Sequence, residues 1–96
     1  MKDIRPWVQQ TLRERLPADG VGVDFTMGNG HDTLYMAGLV PQGHIYAFDV
    51  QQQALDSTRK LLEEHSLLDR TTLILDSHSN LDKYLGEQEM DAGVFC

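Results

Sequence analysis

A single cysteine, one tryptophan and only three prolines in 96 residues close off several architectures. The lone Cys96 excludes an internal disulfide and any multi-cysteine metal site, and it fits a reducing cytoplasm. No apolar run approaches the ~18 residues that cross a bilayer, so no transmembrane helix and no membrane partner are expected. Met1-Lys2-Asp3-Ile4-Arg5-Pro6 has no apolar stretch behind its charges, so no secretory signal is expected either. His31, His44, His65 and His78 make no His-x-x-x-His pair and no Cys–His cluster, and no metal is predicted. Positive charge is also scarce, with 8 Lys and Arg against 15 Asp and Glu for a net charge of −7. Proteins that track phosphates gain affinity by releasing counterions to Lys and Arg. This chain alone is poorly suited to nucleic acid, and an RNA role requires basic surface from elsewhere.

What is present is ordinary globular material, 41% hydrophobic and 24% charged. The length suits one small domain with a modest core. Residues 1–20 carry an N-terminal helix, predicted over Pro6 to Leu16 with Trp7, Val8, Leu12 and Leu16 on one face. Pro17-Ala18-Asp19-Gly20 ends it, and βα units fill residues 21–96. Val21 to Phe25 reads as a buried strand, Thr26 to Gly30 as a tight turn, and His31 to Val40 as a helix. His44 to Phe48 is a second strand that ends at Asp49. Gln51 to about Leu68 is a second amphipathic helix, with Ala54, Leu55, Thr58, Leu61, Leu62 and His65 on one face. Thr72 to Leu75 is a third strand ending at Asp76. Leu81, Tyr84 and Leu85 mark a short helix closed by Gly86, and Met90 to Cys96 begin a fourth strand. This alternation predicts an α/β, Rossmann-like parallel sheet with helices on both faces. A strand closing the sequence predicts the first part of a longer domain, completed by more chain or by a partner. A homodimer through the exposed edge of strand four is one such completion.

In an open parallel sheet, ligands lie beyond the C-terminal ends of the strands. Asp24, Asp49 and Asp76 all fall there, which is the strongest functional signal read from the residues themselves. Gly28-Asn29-Gly30 follows strand one and opens a helix; its glycines permit positive φ and close approach of a ligand. Thr33 stands where a dinucleotide fingerprint carries its third small residue, which weakens a nicotinamide reading. Asp49, 19 residues after Gly30, is placed for an acid that accepts from both ribose hydroxyls. Asp24 and Asp32 flank the turn and suit a ligand with positive charge better than a pyrophosphate. Asp76-Ser77-His78 adds polar groups at the same edge. Each feature has a structural alternative: a plain turn, a helix cap at Asp49, a first-turn acid at Asp32, a capped turn at Asp76. His44 and His65 are read as a strand entry and a helix face. Ser77 and His78 are sequence neighbours and make no nucleophile–base pair. Cys96 has no basic neighbour to activate it.

The stretch Val23-Asp24-Phe25-Thr26-Met27-Gly28-Asn29-Gly30-His31-Asp32-Thr33 resembles motif I of class I S-adenosylmethionine-dependent methyltransferases. More narrowly, it is similar to a family labelled rRNA methylases and associated with N-methylation of 5-aminomethyl(-2-thio)uridine at the tRNA wobble position. Tyr46-Ala47-Phe48-Asp49-Val50-Gln51, Asp76-Ser77-His78 and Asp91-Ala92-Gly93-Val94-Phe95 agree in order and spacing, so the resemblance covers essentially the whole chain. It implies the first four strands of the class I fold, S-adenosyl-L-methionine as cofactor and tRNA as substrate. Asn29 and His31 would meet the methionine moiety, Asp49 the ribose, Gln51 the adenosine, and Ser77 and His78 the adenine side. Gly28 and Gly30 would allow close approach, and Asp24 and Asp32 would shape the loop. The family continues after strand four with an Asn-Leu-Gly-Tyr-Leu-Pro-type loop, where this sequence has Cys96. The resemblance therefore implies a cofactor half-site that is not active alone. It also implies an in-line displacement by a neutral amine, helped mainly by alignment in a dry site. Two other readings stand beside it: a non-catalytic or partner-completed domain, and a fragment of a nicotinamide-dependent oxidoreductase.

Overall fold

The computed structural model describes residues 6–86 and 90–94. In chain order the elements are α1 (Pro6–Arg15), β1 (Val21–Asp24), α2 (His31–Leu39), β2 (His44–Asp49), α3 (Gln52–Glu64), β3 (Thr71–Leu75), α4 (Asp82–Leu85) and β4 (Ala92–Val94). Short 3-10 turns at Leu68–Arg70 and His78–Asn80 precede β3 and α4. The strands form one parallel sheet in the order β3-β2-β1-β4. The chain therefore starts mid-sheet, winds outward through β2 and β3, and crosses back to β4, which lies at an edge among the described strands. The expected ends of β4 at Phe95 and Cys96, and the residues before Pro6, lie outside the described residues.

Strand periodicity decides which layer each side chain joins. Ile45 and Ala47 of β2 face α1, α2 and α3, where Leu12, Leu16, Met36, Ala37, Val40 and Leu62 form one cluster and Met27, Ala54 and Leu55 another. Val23, Phe48 and Ile74 point to the opposite layer and pack with Leu85 of α4. Met36 and Phe48 are completely buried. Each side chain of that size contributes about 2–3 kcal/mol of burial energy.

α3 stops earlier than the apolar spacing predicts. Ser66 adopts left-handed backbone at φ 59. Its N–H donates to the Glu63 carbonyl at 3.1 Å, and the Leu67 N–H donates to the Leu62 carbonyl at 2.9 Å. That pair of bonds is a Schellman stop, with Leu67 and Leu62 meeting in the same apolar cluster. A serine in place of the usual glycine hides the stop from sequence. His65 falls just beyond the helix, exposed, with Nδ1 3.0 Å from the Leu61 carbonyl oxygen, and not on the buried face. His44 does open β2, with Nε2 2.6 Å from the Thr72 hydroxyl. No helix among the described residues is long and apolar enough to cross a membrane.

Candidate functional site

The Thr26–Gly30 turn is tied to its surroundings from below. The Met27 N–H donates to the Phe48 carbonyl at 2.8 Å, and the Gly28 N–H donates to Asp49 Oδ2 at 3.1 Å. The Thr58 hydroxyl of α3 donates to the Gly28 carbonyl at 3.3 Å. The turn thus hangs on the end of β2 and on the face of α3. Its two glycines serve different purposes. Gly30 has φ 89, and a methyl there would meet Thr58 Cα at 2.9 Å, so helix packing demands its small size. Gly28 has φ 53, and the direction of its missing side chain is open for 4 Å. Of the pair, only Gly28 presents bare backbone to open space.

Asp49 ends β2 half-buried. Beyond its bond from Gly28, its Oδ1 accepts the Gln51 N–H at 3.0 Å. The N-cap of α3 is Gln51, and no side chain caps that helix, so Asp49 is not its cap. Immediately after it, Val50 is 70% exposed. Leu75, paired in register with Asp49, is 48% exposed. A carboxylate beside two exposed aliphatic side chains is an unusual surface, because apolar groups at a strand end normally seek cover.

Asp24 lies under the same turn, with no exposed surface. The Thr33 hydroxyl donates to its Oδ2 at 2.6 Å, and the Thr26 N–H donates to its Oδ1 at 3.1 Å. Burial outweighs these two bonds and pushes the carboxyl up to about 7, with smaller upward pushes from the Asp32 and Asp49 charges. Asp32 is buried in the first turn of α2, Asn29 is exposed and His31 is half-buried. Thr33, which departs from the dinucleotide fingerprint, therefore holds Asp24 in place.

The strand-end acids do not converge as one group. Asp24 and Asp49 serve the turn on the α2 and α3 side of the sheet. Asp76 belongs to the other side, where its Oδ1 accepts the Asn80 side-chain amide at 2.9 Å and the Ser77 N–H at 2.7 Å. Its Oδ2 accepts the Tyr84 hydroxyl at 2.9 Å, and Tyr84 stacks edge-on against Phe48. The Asn80 and Tyr84 bonds hold the Asp76 carboxyl below the usual carboxylate range, and Asp76 in turn raises Tyr84. Ser77 is half-buried with its hydroxyl 2.9 Å from that of Ser79, and His78 opens the following 3-10 turn. Gln51 is exposed at the start of α3. The sequence pattern assigned no site role to Val50, Leu75, Thr33 or Tyr84. For Val50 a signal existed, an apolar residue directly after a strand-end acid; the Asp76–Tyr84 bond left none.

The sheet order β3-β2-β1-β4, with a glycine turn after β1, is Rossmann-like, the fold of class I methyltransferases. An S-adenosylmethionine-dependent O-methyltransferase from Thermotoga maritima matches it with a TM-score of 0.78, over 99% of this chain and 36% of that one, at 17% identity, a likeness of fold alone. Within that class, residues 45–96 match the family described as Putative rRNA methylase, and the chain belongs to that family. An rRNA methylase from Streptococcus thermophilus is 41% identical, with a TM-score of 0.86 over 99% of this chain and 56% of that one. A protein from Streptococcus mutans, named as a putative methyltransferase and solved in complex with SAH, is 36% identical with a TM-score of 0.86, over 98% of this chain and 52% of that one. The chain thus spans about half the length of these two relatives. The glycine turn precedes the family-matched segment and falls within both of these structural matches.

Proposed function

We propose that this chain is the cofactor-binding part of an S-adenosyl-L-methionine-dependent methyltransferase. The reading rests above all on Asp49, a strand-end carboxylate that fastens the glycine turn while standing beside exposed Val50. Membership of the methylase family supports it. The residues fit the cofactor chemically. Asp49 suits the ribose hydroxyls, and Val50 offers an apolar surface to the adenine, with Gln51, Ser77 and His78 around its edge. The open backbone at Gly28, with Asn29 and His31, suits the methionine moiety. Acids around the turn complement a sulfonium and an ammonium. When bound, the cofactor supplies an electrophilic methyl group; these residues hold and orient it.

For the whole protein we propose N-methylation of 5-aminomethyl(-2-thio)uridine at the tRNA wobble position, in the cytoplasm. With a net charge of −7, this chain leaves most tRNA contact to other basic surface. Pairing of a second copy along the β4 edge is a further proposal, and a monomer at every concentration in sedimentation would overturn it. Calorimetric titration with S-adenosylhomocysteine tests the cofactor reading: saturable binding near one per chain supports it, and no binding by a folded chain refutes it. Transfer of labelled methyl to tRNA with and without the wobble aminomethyl group tests the acceptor, and equal incorporation into both would rule it out.

A further inference from the structure

A carboxyl group with no exposed surface, held by two donors and placed under a turn already ringed by acids, is an expensive feature for a domain of this size. Asp24 stabilises the turn through Thr26 and Thr33, but an amide at this position could make comparable bonds without the penalty of ionisation. We propose that Asp24 is a specificity-determining residue that makes the preference for the sulfonium cofactor over its thioether product depend on pH, losing a proton to solvent as the cofactor binds. This inference rests on the methyltransferase reading above.

The surroundings of Asp24 support it from every side. α2, which His31 opens, brings Asp32 and the Thr33 donor; β2 brings Asp49; α3 brings Thr58 against Gly30. β4 places Val94 opposite Asp24 in register and has no titratable residue within Ala92–Val94. The charges acting on the carboxyl are thus the two acids, which resist its ionisation. The buried acid near neutrality follows from that arrangement, with its pKa raised to about 7 mainly by burial. A positive charge arriving at the turn reverses the balance and favours the carboxylate. Cofactor and product share their adenine, ribose, amino and carboxyl groups and differ by one methyl and one positive charge at sulfur. Effects of pH on adenine, ribose and carboxyl therefore cancel in the ratio of the two affinities, and the lowering of the amino pKa by the sulfonium acts equally on wild type and Asp24→Asn. A unit charge about 12 Å away, at an effective dielectric near 20, shifts an equilibrium by about tenfold.

The experiment is titration of the 96-residue chain with S-adenosylmethionine and with S-adenosylhomocysteine from about pH 5.5 to 8.5, in wild type and Asp24→Asn. The ratio of product Kd to cofactor Kd is expected to rise by about tenfold with pH in wild type. In a folded Asp24→Asn chain it should stay flat. If Asp24→Asn does not fold, wild type still decides: near pH 7, in buffers of different ionisation enthalpy, cofactor binding should release more protons than product binding. A flat wild-type ratio overturns the inference alone. So does a rise that survives in Asp24→Asn, and so does equal proton release by the two ligands. Failure of either ligand to bind at any pH overturns the methyltransferase reading and the inference with it.

Discussion

Replacing Asp24 with asparagine should make the chain more stable at neutral pH and leave it nearly unchanged in acid. An unfolded aspartate ionises near 3.8, whereas the folded carboxyl holds its proton up to about 7. Between those values the native state keeps a proton that the unfolded state has lost, so each unit rise in pH favours unfolding by about 1.36 kcal/mol. The stability that protonated Asp24 contributes is fully present below 3.8 and is lost progressively as pH rises through about 7. The accumulated loss is at most about 4 kcal/mol, and smaller where the turn relaxes to admit water. Asparagine cannot ionise. Its Oδ1 can still accept the Thr26 N–H, and its amide can donate to the Thr33 hydroxyl, so the local network reverses one bond without losing it. Urea unfolding of both chains, followed by circular dichroism at pH 4, 5, 6, 7 and 8, gives the difference directly. Other titrating groups, including His44, whose pKa burial lowers, cancel in that difference. The variant should gain on wild type steadily from pH 4 and level off above pH 7. A difference independent of pH would refute the assignment of a protonated, buried Asp24.

Asp49→Ala removes both the proposed ribose acceptor and the partner of the Gly28 N–H. It should weaken S-adenosylhomocysteine binding by about 1–3 kcal/mol in calorimetry, and unchanged affinity in a folded variant would dismiss Asp49 as a ligand residue. Gly28→Ala and Gly30→Ala should separate cleanly. The first bears only the cost of left-handed backbone, about 1 kcal/mol in thermal melts, and loses cofactor affinity. The second also drives a methyl into Thr58 and should cost about 2–4 kcal/mol of stability; equal losses in the two variants would contradict this division of roles. Gly43→Ala would drive a methyl into the Gly20 carbonyl oxygen, a backbone atom, so it should destabilise the fold by about 3 kcal/mol or more. A melting temperature within a few degrees of wild type would show that the approach of these two segments is not needed.

The sequence by itself determined the alternation of strands and helices, because apolar runs of strand length and helical spacing alternate between turn residues along the chain. It also grouped the strand-end acids, since parallel strands bring Asp24, Asp49 and Asp76 to one end of the sheet whatever their packing. Local signals were enough where a boundary is set by backbone chemistry, as at Pro17-Ala18-Asp19-Gly20 and at Gly86, which takes φ 63. They failed at Ser66, where the stop depends on the fit of Leu67 against Leu62 and not on residue type. Tertiary structure alone decided what each acid does. Alternate layers of the sheet sent Asp49 to the glycine turn and Asp76 to Asn80 and Tyr84. Burial under α2 then turned Asp24 from one more carboxylate into a group poised to lose its proton near neutral pH. The physical reason is range. Turn and helix propensities act between residues a few positions apart. Desolvation and charge coupling depend on neighbours that only the folded chain assembles.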